Sequence, residues 1–109
     1  MNKLLSMVSL CKRAGKLQVG YDRVADTVRN GEALLVFTTS DLSEKTRKGI
    51  DFICEAENIE SFVMPITMDE LEFEIGKRTG IIAVTEQGLA KKLKTLCAAG
   101  QINKEDIIL

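Results

Sequence analysis

The sequence predicts an α/β protein, a three-layer α/β/α sandwich. Short apolar runs alternate with helix-like stretches of about ten to fifteen residues, the pattern of helices laid over a central sheet. The runs ALLVFT (33–38) and GIIAVT (80–85) show no polar alternation, as strands buried on both faces require. The chain has 109 residues, enough for one domain, expected to span 1–109. Its composition, 45% hydrophobic and 28% charged, is that of a globular protein. Aromatics make up only 5%, so the core must be aliphatic.

The elements follow in order. Residues 2–14 have helical spacing: Leu4, Val8 and Cys11 fall at 0, 4 and 7, and Leu5 widens the apolar face. This apolar run is too short to span a membrane and lacks a cleavage pattern. Residues 16–19 form a short strand. Residues 21–30 form a helix with Tyr21, Val24, Ala25 and Val28 on one side. After the strand at Ala33–Thr38 comes a helix from about Ser43 to Glu57, with Ile50, Ile53 and Cys54 inward. Ser61–Met64 is the next strand. Thr67 and Glu70 have capping-box spacing and open a helix through Ile75. The strand GIIAVT is followed by a last helix with Leu89, Leu93 and Leu96 in register. The tail QINKEDIIL is expected to add a short edge strand.

Several chemistries are excluded. There is no His, and Cys11, Cys54 and Cys97 are far apart, so zinc sites of the usual kind and His-activated nucleophiles cannot form. No phosphate-binding GxxxxGK[ST] spacing occurs. Glu70 with Glu74, and Asp51 with Glu55, are helical neighbours that read as solubilising rather than catalytic. No cofactor and no metal are expected. Three buried free thiols suit a reducing cytosol.

The net charge is −1, but it is unevenly placed. Residues 1–50 and 77–104 are basic, and residues 51–76 hold eight acids and no base. Two basic flanks that meet in space could form a local patch for a polyanion.

Two stretches offer anion-binding chemistry. Gly20 stands where a strand hands over to a helix, whose first N–H groups and dipole favour anions. Lys16 lies four residues upstream and Arg23 is in the first turn, yet Asp22 and Asp26 sit on the same helix. The loop IGKRTG (75–80) supplies Lys77 and Arg78 between two glycines. A shared sheet edge could bring the two together.

The stretches LLSMVSLCKRAGKLQVG, VRNGEALLVFTTSDLSEKTRKGI and IGKRTGIIAVTEQGLAKKL are similar to the L-seven-Ae family of ribosomal proteins, the kink-turn RNA binders, and within it to the small bacterial YlxQ-type branch. The resemblance covers about residues 3–94. It implies a mixed four-stranded sheet and RNA binding without catalysis, in the cytoplasm, by a monomer. The implied partners are a structured RNA of the kink-turn type, ribosomal RNA foremost, and the ribosome, with no membrane. In the family, the helix that begins at the glycine enters the widened major groove, and its first turns read guanine edges. A second loop covers splayed bases with apolar contacts.

Carried onto this chain, the resemblance assigns RNA contact to Lys16, Gly20, Tyr21, Asp22, Arg23 and Asp26, and to Lys77, Arg78, Thr79, Gly80 and Ile81. The family's Thr, Asn, Glu and Lys are here Tyr21, Asp22, Arg23 and Asp26. The last puts a carboxylate where the family places a cation. Arg23 could compensate by pairing with guanine, and Asp26 could pair with Arg23 or Arg29 along the helix. A second reading is a protein-interaction module on the same fold that no longer recognises RNA, suggested by the acidic block and the acid-substituted helix.

Overall fold

A computed structural model describes residues 2–108, with side-chain surroundings for residues 2–98. Nine elements follow one another: α1 (Lys3–Arg13), β1 (Leu17–Val19), α2 (Tyr21–Arg29), β2 (Leu35–Thr38), α3 (Glu44–Ala56), β3 (Glu60–Val63), α4 (Met68–Ile75), β4 (Ile81–Val84) and α5 (Gln87–Ile108).

The helix starts are chemically specified. The Asn2 side chain accepts from the amides of Leu4 and Leu5 at 2.9 and 3.2 Å and so caps α1. Ser43 caps α3 through the Thr46 amide. At α4 the expected capping box forms: Thr67 Oγ1 accepts from the Glu70 amide, and Glu70 Oε1 accepts from the Thr67 amide at 2.9 Å. Gly76, in the left-handed region at φ 77°, ends that helix.

The strands form one mixed sheet in the order β1-β4-β2-β3. β4 runs antiparallel to both β1 and β2, while β2 and β3 are parallel and joined through α3. Successive residues of the two central strands face opposite layers. Leu35, Phe37, Ile82 and Val84 join Leu4, Val8, Leu71, Ile75 and Leu93 beneath α1, α4 and α5. Val36, Ile81 and Ala83 join Val24, Val28, Ile50 and Ile53 beneath α2 and α3. The result is the α/β/α sandwich, with aliphatic cores on both faces of the sheet. Cys11, Cys54 and Cys97 are buried free thiols within them. Burial pushes Cys54 and Cys97 up to about 11.

The expected edge strand in the tail is corrected. Residues 101–108 continue α5, whose helix runs unbroken from Gln87 to Ile108. Extending a nucleated helix needs only one further hydrogen bond per residue, and Gln, Lys and Glu favour it, whereas a new strand would need a partner edge. Gly100 weakens the helix by only about 1 kcal/mol and does not end it.

Candidate functional site

Gly20 links β1 to α2 with φ 94° and ψ 153°, a region open essentially to glycine alone. It is the N-cap of α2 and brings no side chain to cap the first amides. Its own amide donates to the Ile81 carbonyl at 3.0 Å, one step beyond the paired residues Val19 and Ile82. The β1–β4 ladder therefore fastens the start of α2 to the end of the 76–80 loop. The Thr39 amide also donates to the Gly80 carbonyl, at 2.9 Å. Three connections thus gather at one end of the sheet: β1–α2, β2–α3 and α4–β4.

The loop exposes fewer side chains than its sequence suggests. Lys77 is exposed. Arg78 is turned back onto α4, with Nη1 2.6 Å from Asp69 Oδ1 and 2.9 Å from Glu72 Oε1. These two carboxylates raise the affinity of the guanidinium for its proton. Thr79 is buried, its hydroxyl accepting from the Ile81 amide and donating to the Ile81 carbonyl, each at 3.1 Å. Gly80 is held by close approach: a Cβ there would stand 2.8 Å from Leu42 Cδ1 and 2.9 Å from Thr39 Oγ1. Ile81 is only 3% exposed, its side chain inside the α2/α3 core. The loop therefore presents Lys77 outward and holds the half-exposed Arg78 against α4, while Thr79, Gly80 and Ile81 shape its backbone.

On α2, Asp22, Arg23 and Asp26 are all exposed and line one shallow groove with Gln18 and Glu32. Arg23 Nη1 donates to Gln18 Oε1 at 3.4 Å. Neither pairing considered for Asp26 forms: among the described residues, no cation lies within 4.0 Å of its carboxylate. The groove thus holds three carboxylates and one guanidinium.

Two contacts here escape a reading of local spacing. Tyr21, 37% exposed, lies over Gly49 of α3, where a Cβ would meet its hydroxyl at 2.7 Å. Arg47 reaches back from α3 to the end of β2, donating to Thr38 Oγ1 and, at 2.7 Å, to the Thr39 carbonyl. Glycine and arginine one turn into a helix were the available signals, but their targets lie on other elements.

Lys16 stands apart. It precedes β1, whereas Gly20 follows it, and four residues of extended chain span about 13 Å. The Lys16 carbonyl accepts from the Thr85 amide at 3.1 Å, which places it at the β4–α5 turn. Its backbone therefore lies at the other end of β1 from Gly20, while Arg23 reaches back along β1 as far as Gln18.

The model of the ribosomal protein L7Ae/L30e/S12e/Gadd45 family matches residues 2–94. The chain belongs to this family. The family match includes every element from α1 to β4 and the start of α5. An RNA-binding protein YlxQ of Enterococcus faecium is 31% identical over 94 residues, which cover 86% of this chain and 90% of that protein. Its namesake from Bacillus subtilis (strain 168) is 33% identical over 95 residues, 83% of this chain and 90% of that one. Among solved structures, a Bacillus halodurans protein of unknown function superposes with a TM-score of 0.83 at 31% identity, over 90% of this chain and 99% of that one. A Giardia lamblia 15.5 kD RNA-binding protein shares the fold at a TM-score of 0.68 and 16% identity, over 88% and 82% of the two chains. The family and the names of these relatives mark the chain as non-enzymatic. Among the described residues, no helix is long and apolar enough to cross a membrane.

Proposed function

We propose that the chain is an RNA-binding protein whose 109 residues act as one domain on a kinked RNA, ribosomal RNA foremost, in the cytoplasm. The observation that carries this reading is the Gly20–Ile81 hydrogen bond, which joins the two segments that family members use on a kink-turn. The free amides of α2 receive a phosphate at the Gly20 turn. Arg23 approaches a guanine edge, and Lys77 and Arg78 receive backbone phosphates. Tyr21, braced on Gly49, offers an aromatic face beside them. Asp22 and Asp26 reduce the affinity and alter the preference among kinked RNAs. Buried, unpaired thiols are consistent with the cytosolic placement.

The test titrates a fluorescent kink-turn and a mutated, non-kinked control of equal length at two salt concentrations. Preferential binding of the kinked RNA, weakening with salt, supports the reading. Equal binding of both RNAs, or of neither, overturns it. Co-sedimentation with purified ribosomal subunits, lost on Arg23→Ala substitution, tests the ribosomal assignment.

A further inference from the structure

Helix α1 buries Leu4, Val8 and Cys11. Its outer stripe of Lys3, Met7, Leu10 and Arg13 recurs every three to four residues. Across from it, α5 presents Lys92 and Leu96 four residues apart, with Lys91 beside them. Two adjoining grooves of about 540 and 530 Å³ run between these stripes and share Met7 and Leu96. Their floor is aliphatic, and Leu10 is 41% exposed. Their rim is cationic, and no acidic residue lines either groove. Among the described residues, none of the four rim cations lies within 4.0 Å of a carboxylate. The two basic flanks of the sequence meet along this seam.

We infer that the α1/α5 groove docks an acidic amphipathic helix of a partner protein. An apolar floor between cationic rims selects an occupant with an aliphatic stripe and carboxylates on both sides of it. The stretch from Lys3 to Arg13 is about 16 Å long at the helical rise, room for about three turns of a docked helix. Bases of a nucleic acid stack on aromatic rings, and no aromatic residue lines either groove. The chain's own acidic helix α4 is a weaker occupant, because Asp69 and Glu72 are already bound to Arg78. The groove lies between the outer faces of α1 and α5, on the opposite layer from α2, so this inference is independent of the RNA reading.

The probe is an acetylated, amidated peptide of about 15 residues, roughly four turns. It carries Leu at the helical anchor positions and Glu elsewhere. One control replaces every Glu with Lys, and a second scrambles the order. Proton–carbon methyl spectra of the full chain follow Met7, Leu10 and Leu96, and anisotropy of the labelled peptide gives its affinity. The Glu peptide shifts these methyls and weakens with salt, and neither control does. The double substitution Lys91→Glu with Lys92→Glu lowers its affinity about tenfold and leaves kink-turn affinity unchanged. The unliganded methyl spectrum of that variant reports that it is folded. Absence of methyl shifts in the wild-type chain, or equal binding of the Glu and Lys peptides, overturns the inference. So does displacement of the peptide by RNA, or a Leu10-dependent self-association in place of peptide binding.

Discussion

The Gly20 amide and the Ile81 carbonyl are 3.0 Å apart, and this bond ties the first turn of α2 to the loop that ends α4. It forms because Gly20 adopts φ 94° and ψ 153°. A Cβ at this position would meet no atom within 4 Å, so the cost of Gly20→Ala is backbone strain alone. That substitution should destabilise the chain by about 1–3 kcal/mol, read from the urea midpoint. In the surviving folded fraction, affinity for a kink-turn should fall as well, because the two segments lose their common anchor. An unchanged midpoint would show that Gly20 relaxes without strain.

Gly80 fails for a different reason. Its added methyl would press on Leu42, Thr39 and Met68 together, with the first two under 3.0 Å away. Gly80→Ala should cost about 1–3 kcal/mol by overpacking. A companion Leu42→Ala should recover part of the loss by opening the crowded side, and a double-mutant cycle in urea measures that coupling.

Asp26 is exposed and has no cation within reach among the described residues, so its removal should leave stability within about 0.5 kcal/mol. Asp26→Lys should raise affinity for a kink-turn by about 1.5–3 kcal/mol through a charge-assisted contact. It should also steepen the salt dependence by about one phosphate contact. Arg23→Ala should lose about 1–3 kcal/mol, chiefly at guanine-dependent positions. Equal effects of both changes on kinked and unkinked RNA would place α2 outside the recognition surface.

Glu86 titrates with the fold. Its carboxylate accepts from the Leu89 amide at 2.7 Å and the Gly88 amide at 3.0 Å, and these bonds hold its carboxyl below the ordinary value of 4.5. A depressed folded value means stability that is complete above pH about 4.5 and lost as the pH falls through the folded value. Glu86→Gln should therefore flatten the acid limb of stability between about pH 5 and 3. Urea midpoints of both proteins across that range check it. Parallel curves would assign the acid sensitivity to other carboxylates.

The parts of this fold written in local spacing were legible. The Thr67–Glu70 box, the Leu4–Val8–Cys11 stripe and the unbroken apolar runs of β2 and β4 each reflect a period or a cap within one element. So was Gly20 as the hinge of the candidate site. The remainder depended on where elements meet. In a strand buried on both faces, alternation cannot say which side Ile81 takes, and it faces the α2/α3 core. Lys16 is four residues from Gly20 in sequence, yet the extended chain sets the two backbones at opposite ends of β1. Arg78 meets Asp69 and Glu72, nine and six residues away, only after Gly76 has turned the chain back. The tail beyond Gly100 carried helix-forming residues, and its hydrophobic ending suggested a strand that α5 replaces.

The two carboxylates on Arg78 have a consequence for discrimination. A phosphate that takes the Nη1 donor of this guanidinium must compete with Asp69 and Glu72 as well as with water. The net gain is the difference between two sets of charge-assisted bonds of similar strength. A loosely placed polyanion gains almost nothing from such an exchange. An RNA that presents its phosphate at the right distance while Gly20 and Arg23 are also engaged does gain, because the exchange is then intramolecular. If Arg78 receives a phosphate as proposed, the acidic helix α4 is the counter-ion with which that phosphate competes.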